Sequence, residues 1–472
     1  MFAAIFDGMR LSVREVHRIS YTPIAARTGL YWDFFRIFET MAHGLRQLQV
    51  EGDICSLGID SFSNDFGFIN SQGELLTPIR CYRDRRTQEY EAQMHAILSE
   101  RKLYFGSGNQ LAPFNTLMQL AAMQLSADGK IPSQAKSLLL VPDLLIYLAT
   151  GAVRTEYTIA SVTQMYSFRS QGWKRDFLHA FSIPEAILPP VQQPGIMCGM
   201  AEQEYCDSWN LRQFPVASVC EHDTASAFAA CPCPEDGAII SCGTWSLVGV
   251  ETQQPVYCEE GFRYNIANEG GPVGHHRLIR NVMGLWILQQ LILEIPYKTY
   301  DQIAEAVENS SPFRFYIDVD HEAYFSPLHM REKIRTECLR RYGCAPETEG
   351  EYVRCILESL AMKYRWAVEK LERVSGKKIH EIWLIGGGSH NRQLCRMTAD
   401  ISGRRVLAAL PEATAAGNAV MQLVASGELD NIEQGRALTA VSFQPDIYEP
   451  GNSCCGAAEY SRYLYLMHLE ES

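Results

Sequence analysis

Apolar and polar positions alternate with two rhythms along this chain. Residues 2–6 form a short apolar run, Asp7-Gly8 is a turn dipeptide, and residues 11–19 alternate apolar with polar, which predicts a β-hairpin. Residues 34–48 carry apolar side chains at helical spacing, and residues 54–59 read as a buried strand. Asp60 stands at the end of that strand, where α/β sheets place chemistry. A second hairpin is expected from residues 66–69, a turn at Gln72-Gly73 and residues 75–82. Helical patterns fill much of 90–148, and the apolar run 137–147, broken by Pro142 and Asp143, predicts a buried helix or a strand–helix junction. Residues 184–215 are Pro-rich and read as irregular. Residues 216–219 form a short strand that ends at Glu221-His222-Asp223-Thr224 and opens a helix over 225–230.

The turn-prone stretch 231–237 marks a domain boundary, which predicts one domain over 1–230 and another over 237–460. Beyond it come a strand at 238–241, a Gly243-Thr244 turn, and a long amphipathic helix over 352–374 stopped by Gly376. A strand at 379–385, the glycine run Gly386-Gly387-Gly388, a helix through Leu394 and Met397, a strand at 405–410 and a helix from Glu412 follow. Both halves mix hairpins with strand–turn–helix units, so the class is α/β. No short repeat is visible, which excludes a solenoid or propeller.

Composition narrows the function. The chain has 472 residues, enough for two or three domains, and its net charge is −13. A nucleic-acid grip as the main activity is excluded, because neutralising phosphates needs a basic face. No apolar stretch is long enough to cross a bilayer, and residues 1–6 lack the basic flank of a signal peptide. Odd placements among the 15 cysteines, such as Cys231, Cys233 and the adjacent Cys454 and Cys455, read as reduced thiols. These features predict an acidic cytoplasmic enzyme with no membrane or nucleic-acid partner.

Walker and protein-kinase phosphate motifs are both missing, so a nucleotide would be held on another scaffold. The turn Ser241 to Ser246 could expose backbone N–H groups and hydroxyls to a phosphate, or be a structural turn. Gly386-Gly387-Gly388 could let a flat ligand press on the backbone, or be a connection that needs positive φ. Asp223 could be a general base or a helix N-cap, and His222 a structural histidine.

In order and spacing, a further set of segments points beyond these separate readings. They are Tyr82 to Thr87, Pro113 to Leu117, Val141-Pro142-Asp143, Glu156-Tyr157-Thr158, His222 to Ala227, Ser241 to Ser246, Asn268-Glu269-Gly270-Gly271, Asn281 to Trp286, and Gly386 to Gly388 with Asn391. Together they resemble the FGGY family of carbohydrate kinases, and within it the rhamnulokinases. The resemblance implies two actin-like, ribonuclease-H-like domains of the sugar kinase/Hsp70/actin superfamily with a cleft between them. It implies ATP with Mg²⁺ on the second domain and a sugar on the first. By position, Asp223 matches the general base, and Ser63, His222, Thr224 and Asn281 match sugar contacts. Thr244, Gln289 and Gly387 match nucleotide contacts, and no side chain is assigned as a resident metal ligand. The implied reaction converts L-rhamnulose to L-rhamnulose 1-phosphate in L-rhamnose breakdown.

Two departures stand out. The relatives carry Asp-Thr-Trp-Gly-Val-Asp-Phe where this chain has Asp60-Ser61-Phe62-Ser63-Asn64-Asp65-Phe66, so Ser63 replaces a glycine at the sugar and another ketose, such as fuculose or xylulose, stays open. The family also opens with a D-x-G-x-S-S-G-R phosphate loop, whereas the hairpin at Phe2 matches the strand after it. A mis-set coding start or a decayed kinase that binds ligands without turnover would each account for this. Loss of the loop would remove phosphate donors worth about 3–4 kcal/mol apiece and expose a strand edge.

Overall fold

The computed structural model describes residues 1–127, 129–296, 299–326, 328–451 and 456–469; Cys454 and Cys455 lie outside them. By contact the described chain forms two compact units. The first comprises Met1–Pro232, Glu251–Leu278 and Ala413–Ser442, and the second Cys233–Val250, Ile279–Glu412 and Phe443–Ser472.

The first unit opens with the expected hairpin, Phe2–Phe6 antiparallel to Leu11–Glu15. Residues 54–59 contribute a strand only at Leu57–Gly58, which runs parallel to Pro215–Ser218. Pro215–Ser218 in turn pairs antiparallel with Ile196–Met200. That last strand and the helix Gln203–Trp209 fall in the stretch expected to be irregular. Ile196 and Met200 are largely exposed, so the strand lacks the alternating burial that makes strands legible.

The second hairpin is also corrected. Phe66–Ile69 forms its ladder with Ser137–Leu140 and meets the expected second arm only next to the turn, where Ile69 bridges Leu75. There Leu76 N–H donates to Phe68 O (2.8 Å) and Asn70 N–H to Glu74 O (3.1 Å), while Ile79, Arg80 and Cys81 pair instead with residues 30–32. Pro78 sits in the middle of that arm and cannot donate to a ladder. Ser137–Leu140 passes directly into the helix Val141–Thr150, with Pro142 in its first turn, where a missing N–H costs nothing.

The second unit is a strand-and-helix layer. Its strands lie in the order 279–283, 245–250, Gly237–Cys242, Glu381–Ile385, Arg405–Ala408, Asp446–Tyr448. The central pairs, Gly237–Cys242 with Glu381–Ile385 and Glu381–Ile385 with Arg405–Ala408, are parallel. Buried on both faces, they read as continuous apolar runs. The helix Glu349–Ser375 starts with a capping box, the Thr348 side chain accepting from Glu351 N–H and the Glu351 side chain accepting from the Thr348 N–H. It stops at Gly376, whose φ of +70° is the left-handed conformation that ends helices. No described helix is long and apolar enough to cross a membrane.

Candidate active site

In the first unit, two loops leave the carboxyl ends of the adjacent parallel strands Leu57–Gly58 and Pro215–Ser218, the position where open α/β sheets collect ligands. They continue to pair beyond the strands: Ser61 N–H donates to Glu221 O (3.0 Å) and Asp223 N–H to Ser61 O (3.1 Å). This zipper sets Asp223 at the first residue of the helix Asp223–Ala230, with His222 as the N-cap residue. The aspartate is therefore not the N-cap that its sequence context also allowed.

The Asp223 carboxyl is 45 % exposed, and its oxygens are used unequally. Oδ1 accepts from Thr224 N–H (2.5 Å) and Thr224 Oγ1 (3.0 Å), and lies 3.6 Å from His222 Nε2. Oδ2 takes no hydrogen bond from the described residues. Desolvation by the surrounding protein raises the Asp223 carboxyl above its usual 3.8, while the Thr224 donors and the Arg277 charge pull it back. A carboxyl raised in this way is a stronger proton acceptor once ionised.

His222 is buried, and desolvation together with the Arg277 charge lowers it well below its usual value, so it is neutral at physiological pH. Thr224 is buried as well. Ser63 sits on the other loop, and its Oγ accepts from Asn64 Nδ2 (3.0 Å). Asn64 itself adopts φ +74° and is pinned by Thr116, whose N–H and Oγ1 donate to Asn64 Oδ1 and O at 3.2 and 3.0 Å. Next to Ser63, Phe62 packs 4.9 Å from Trp32 and 6.3 Å from Tyr82, and Tyr82 packs 5.9 Å from Phe114. The separate motifs around Tyr82 and Phe114 thus converge on one aromatic surface beside the loop.

Beneath Asp223 lies a buried polar layer. Glu156 accepts from the N–H groups of Thr158, Ile159 and Glu221, and burial raises its carboxyl to about 8. Arg154 pairs with both Asp143 and Glu221. These residues hold the backbone of the 221–223 segment from below. Arg277 and Glu269, which pair at 3.1 Å beside His222, were not singled out individually by sequence reasoning. An arginine inside an apolar strand pattern gives no sign of being fully buried.

In the second unit, the turns after the parallel neighbours Gly237–Cys242 and Glu381–Ile385 lie side by side. A Cβ on Gly386 would come 3.0 Å from Cys242 O, and one on Gly388 would come 2.3 Å from Cys242 Sγ. Gly387 between them is exposed, and a Cβ there would meet nothing within 4 Å. Thr244 holds the neighbouring connection, since Gly284 and Trp286 N–H groups donate to Thr244 O at 3.0 and 3.3 Å. That anchors the helix Trp286–Ile292, which carries exposed Gln289. Thr244, Gly387 and the Gln289 helix are thus grouped at one end of this sheet. Asn281 lies in the same unit, on the strand His276–Met283, whereas Ser63, His222, Asp223 and Thr224 belong to the first.

Residues 3–230 match the N-terminal domain of the FGGY family of carbohydrate kinases, and residues 238–426 match its C-terminal domain. The chain belongs to the FGGY family of carbohydrate kinases. It is 34 % identical over 455 residues to the rhamnulokinase of Bacteroides thetaiotaomicron, covering 96 % of this chain and 94 % of that one. It is 32 % identical over 446 residues to the rhamnulokinase of Bacillus subtilis, covering 93 % and 91 %. Among solved structures, a xylulose kinase from Lactobacillus acidophilus shares the fold of this chain at TM-score 0.75, 15 % identity and coverage of 97 % and 91 %. Plasmodium falciparum glycerol kinase with ADP does so at TM-score 0.74, 14 % identity and coverage of 99 % and 96 %. This FGGY chain is accordingly a two-domain sugar phosphotransferase of the actin-like ATPase fold.

Proposed function

We propose that this chain phosphorylates L-rhamnulose at its 1-hydroxyl, with ATP as donor, yielding L-rhamnulose 1-phosphate and ADP. The observation that carries the reading is Asp223, partly open and with one carboxylate oxygen unengaged at a helix start. Rhamnulokinases 32 and 34 % identical over more than nine-tenths of the chain support the choice of ketose. So does the aromatic surface of Trp32, Phe62 and Tyr82, because a 6-deoxy sugar presents a methyl group that such a surface can cover.

In this reading the sugar is held by residues 1–230, with Ser63, His222 and Thr224 around the base and Asn281 as a further contact. The nucleotide is held by residues 237–460. Asp223 accepts the proton of the 1-hydroxyl as that oxygen bonds to the γ-phosphorus, and the bond from phosphorus to the ADP oxygen breaks. Gly387 admits the nucleotide against bare backbone, Gln289 hydrogen-bonds to it, and Thr244 meets its phosphates with a hydroxyl. Mg²⁺ would arrive with the ATP, whose phosphates would supply its ligands. When bound there it neutralises phosphate charge.

Asp223→Asn keeps the size and the Oδ1 acceptor but removes the base. It should lower kcat by about 10²–10⁴-fold with a small change in sugar KM. An unchanged ADP release rate would refute the assignment.

A further inference from the structure

Arg277 is completely buried, and its guanidinium is held on several sides. Nε donates to Gly270 O (2.9 Å), Nη2 lies 3.1 Å from Glu269 Oε2 and 3.3 Å from His222 Nδ1, and the cation rests 5.4 Å from the Phe228 ring. A guanidinium has donors only and does not lose its charge in proteins. Of the two groups at Nδ1, the Arg277 donor is nearer than the Glu269 carboxylate (3.3 against 3.5 Å), which favours a lone pair on that nitrogen. A neutral imidazole with a lone pair on Nδ1 carries its proton on Nε2, and Nε2 is the nitrogen 3.6 Å from Asp223 Oδ1. The His222 backbone is fixed too, its N–H donating to Thr158 Oγ1 (3.2 Å).

We infer that Arg277 is a positioning residue that acts through His222: it locks the ring as the Nε2–H tautomer, which turns that N–H toward Asp223 Oδ1 and leaves Oδ2 to receive the substrate proton. The inference rests on the reading of Asp223 as the base. Three donors, the Thr224 N–H, the Thr224 hydroxyl and the His222 Nε2–H, then converge on Oδ1 alone. The separation of 3.6 Å is of the loose kind that tightens when substrate binds.

The charged groups facing the ring make the alternative states clear. Glu269 Oε2 lies 3.5 Å from Nδ1 on one side, and Asp223 lies at Nε2 on the other. Without the Arg277 cation, an imidazole between two carboxylates would take a second proton, or move its single proton to Nδ1 to satisfy Glu269. The first state ties Asp223 into an ion pair and weakens it as a base. The second turns a lone pair toward the carboxylate. Burial and the Arg277 charge, which lower His222 well below its usual value, hold off the first state in the intact protein, and the Arg277 donor facing Nδ1 at 3.3 Å holds off the second.

The test is a long-range ¹H–¹⁵N correlation spectrum of the full chain labelled at histidine nitrogens, with His222 assigned by its absence in His222→Gln. The expected result is an unprotonated Nδ1 and a protonated Nε2 throughout pH 6 to 8. In Arg277→Met, His222 should become doubly protonated or shift its proton to Nδ1, and kcat should fall about 10- to 100-fold while sugar KM changes little. That variant strands Glu269 in the core and can fail to fold, so Glu269→Gln with Arg277→Met is the companion. Its amide can donate to Nδ1, and the Nε2–H signal should return together with most of kcat. A wild-type His222 protonated on Nδ1 overturns the inference, and so does an Arg277→Met chain that keeps the Nε2–H tautomer yet loses the rate. A wild type that releases no ADP with any sugar would instead overturn the kinase reading, and the ring spectrum would still decide the tautomer.

Discussion

A glycine can be required for what it packs against or for what it leaves open, and Gly386 to Gly388 contain both cases. A Cβ on Gly388 would meet the buried Cys242 Sγ at 2.3 Å, whereas one on Gly387 would meet nothing. Gly388→Ala should therefore destabilise the second unit by about 1–3 kcal/mol, the usual penalty for overpacking. Gly387→Ala should leave the melting temperature unchanged but raise the KM for ATP, because its methyl projects into the space assigned to the nucleotide. Thermal melts and steady-state kinetics on the two variants separate these effects. Equal losses of stability would argue that Gly387 is structural.

At the scale of elements, what places the Asp223 loop is a crossing of two helices within the first unit. The helix Ala413–Ser426 meets Asp223–Ala230 so closely that a Cβ on Gly417 would stand 1.7 Å from Ser226 O. From the same helix, Thr414 Oγ1 donates to Asp223 O (3.3 Å) and Asn418 Nδ2 to Asp60 Oδ2 (2.5 Å). Gly417→Ala must push the helices apart, and should both lower the melting temperature and reduce kcat by displacing Asp223. Retention of full activity and stability would contradict the placement. Which elements were legible follows from how local their determinants are. The helix Glu349–Ser375 is expected over 352–374: its stopping glycine is read directly, whereas its capping box begins ahead of the apolar stripe that marks the helix. Partnership between strands was less legible. Phe66–Ile69 forms its ladder with Ser137–Leu140 across a stretch that holds the helices Glu91–Ile97, Glu100–Ser107 and Thr116–Leu125, and non-local packing selects that partner. Asp223 and Thr244 stand out as candidates because loops at strand ends show small and polar residues together, whereas Ser63 is named only through the family resemblance. Arg277 could not, since its burial depends on Glu269 and His222 being brought to it from distant positions in the chain.

For the molecule as a whole, buried carboxyls set the response to pH. Burial raises Asp65 to about 7 from its usual 3.8, and Glu156 and Glu358 to about 8 and 7 from 4.5. Above about pH 4 the folded chain keeps protons that the unfolded chain has released, so stability falls as pH rises toward the folded values. Neutral buried His222 and His276 act in the opposite direction, but only where the unfolded histidines are charged, below about pH 6.5. Above pH 6.5 the histidine contribution fades, and the carboxyls, joined toward pH 8.5 by buried thiols such as Cys220, Cys242 and Cys395, lower stability, each carboxyl still protonated contributing a slope of about 1.4 kcal/mol per pH unit. Melting temperatures should accordingly decline across that window, and a flat or rising trend would contradict the burial of these groups as uncharged acids.

The central claim is that Asp223 activates the 1-hydroxyl of L-rhamnulose for attack on ATP. Its most direct test is ADP release by the purified 472-residue chain with Mg-ATP and a panel of ketoses, with Asp223→Asn run alongside. The account predicts the highest kcat/KM with L-rhamnulose, a product phosphorylated at carbon 1, and loss of turnover in the variant. Preference for a different ketose, or turnover that survives Asp223→Asn, would contradict it.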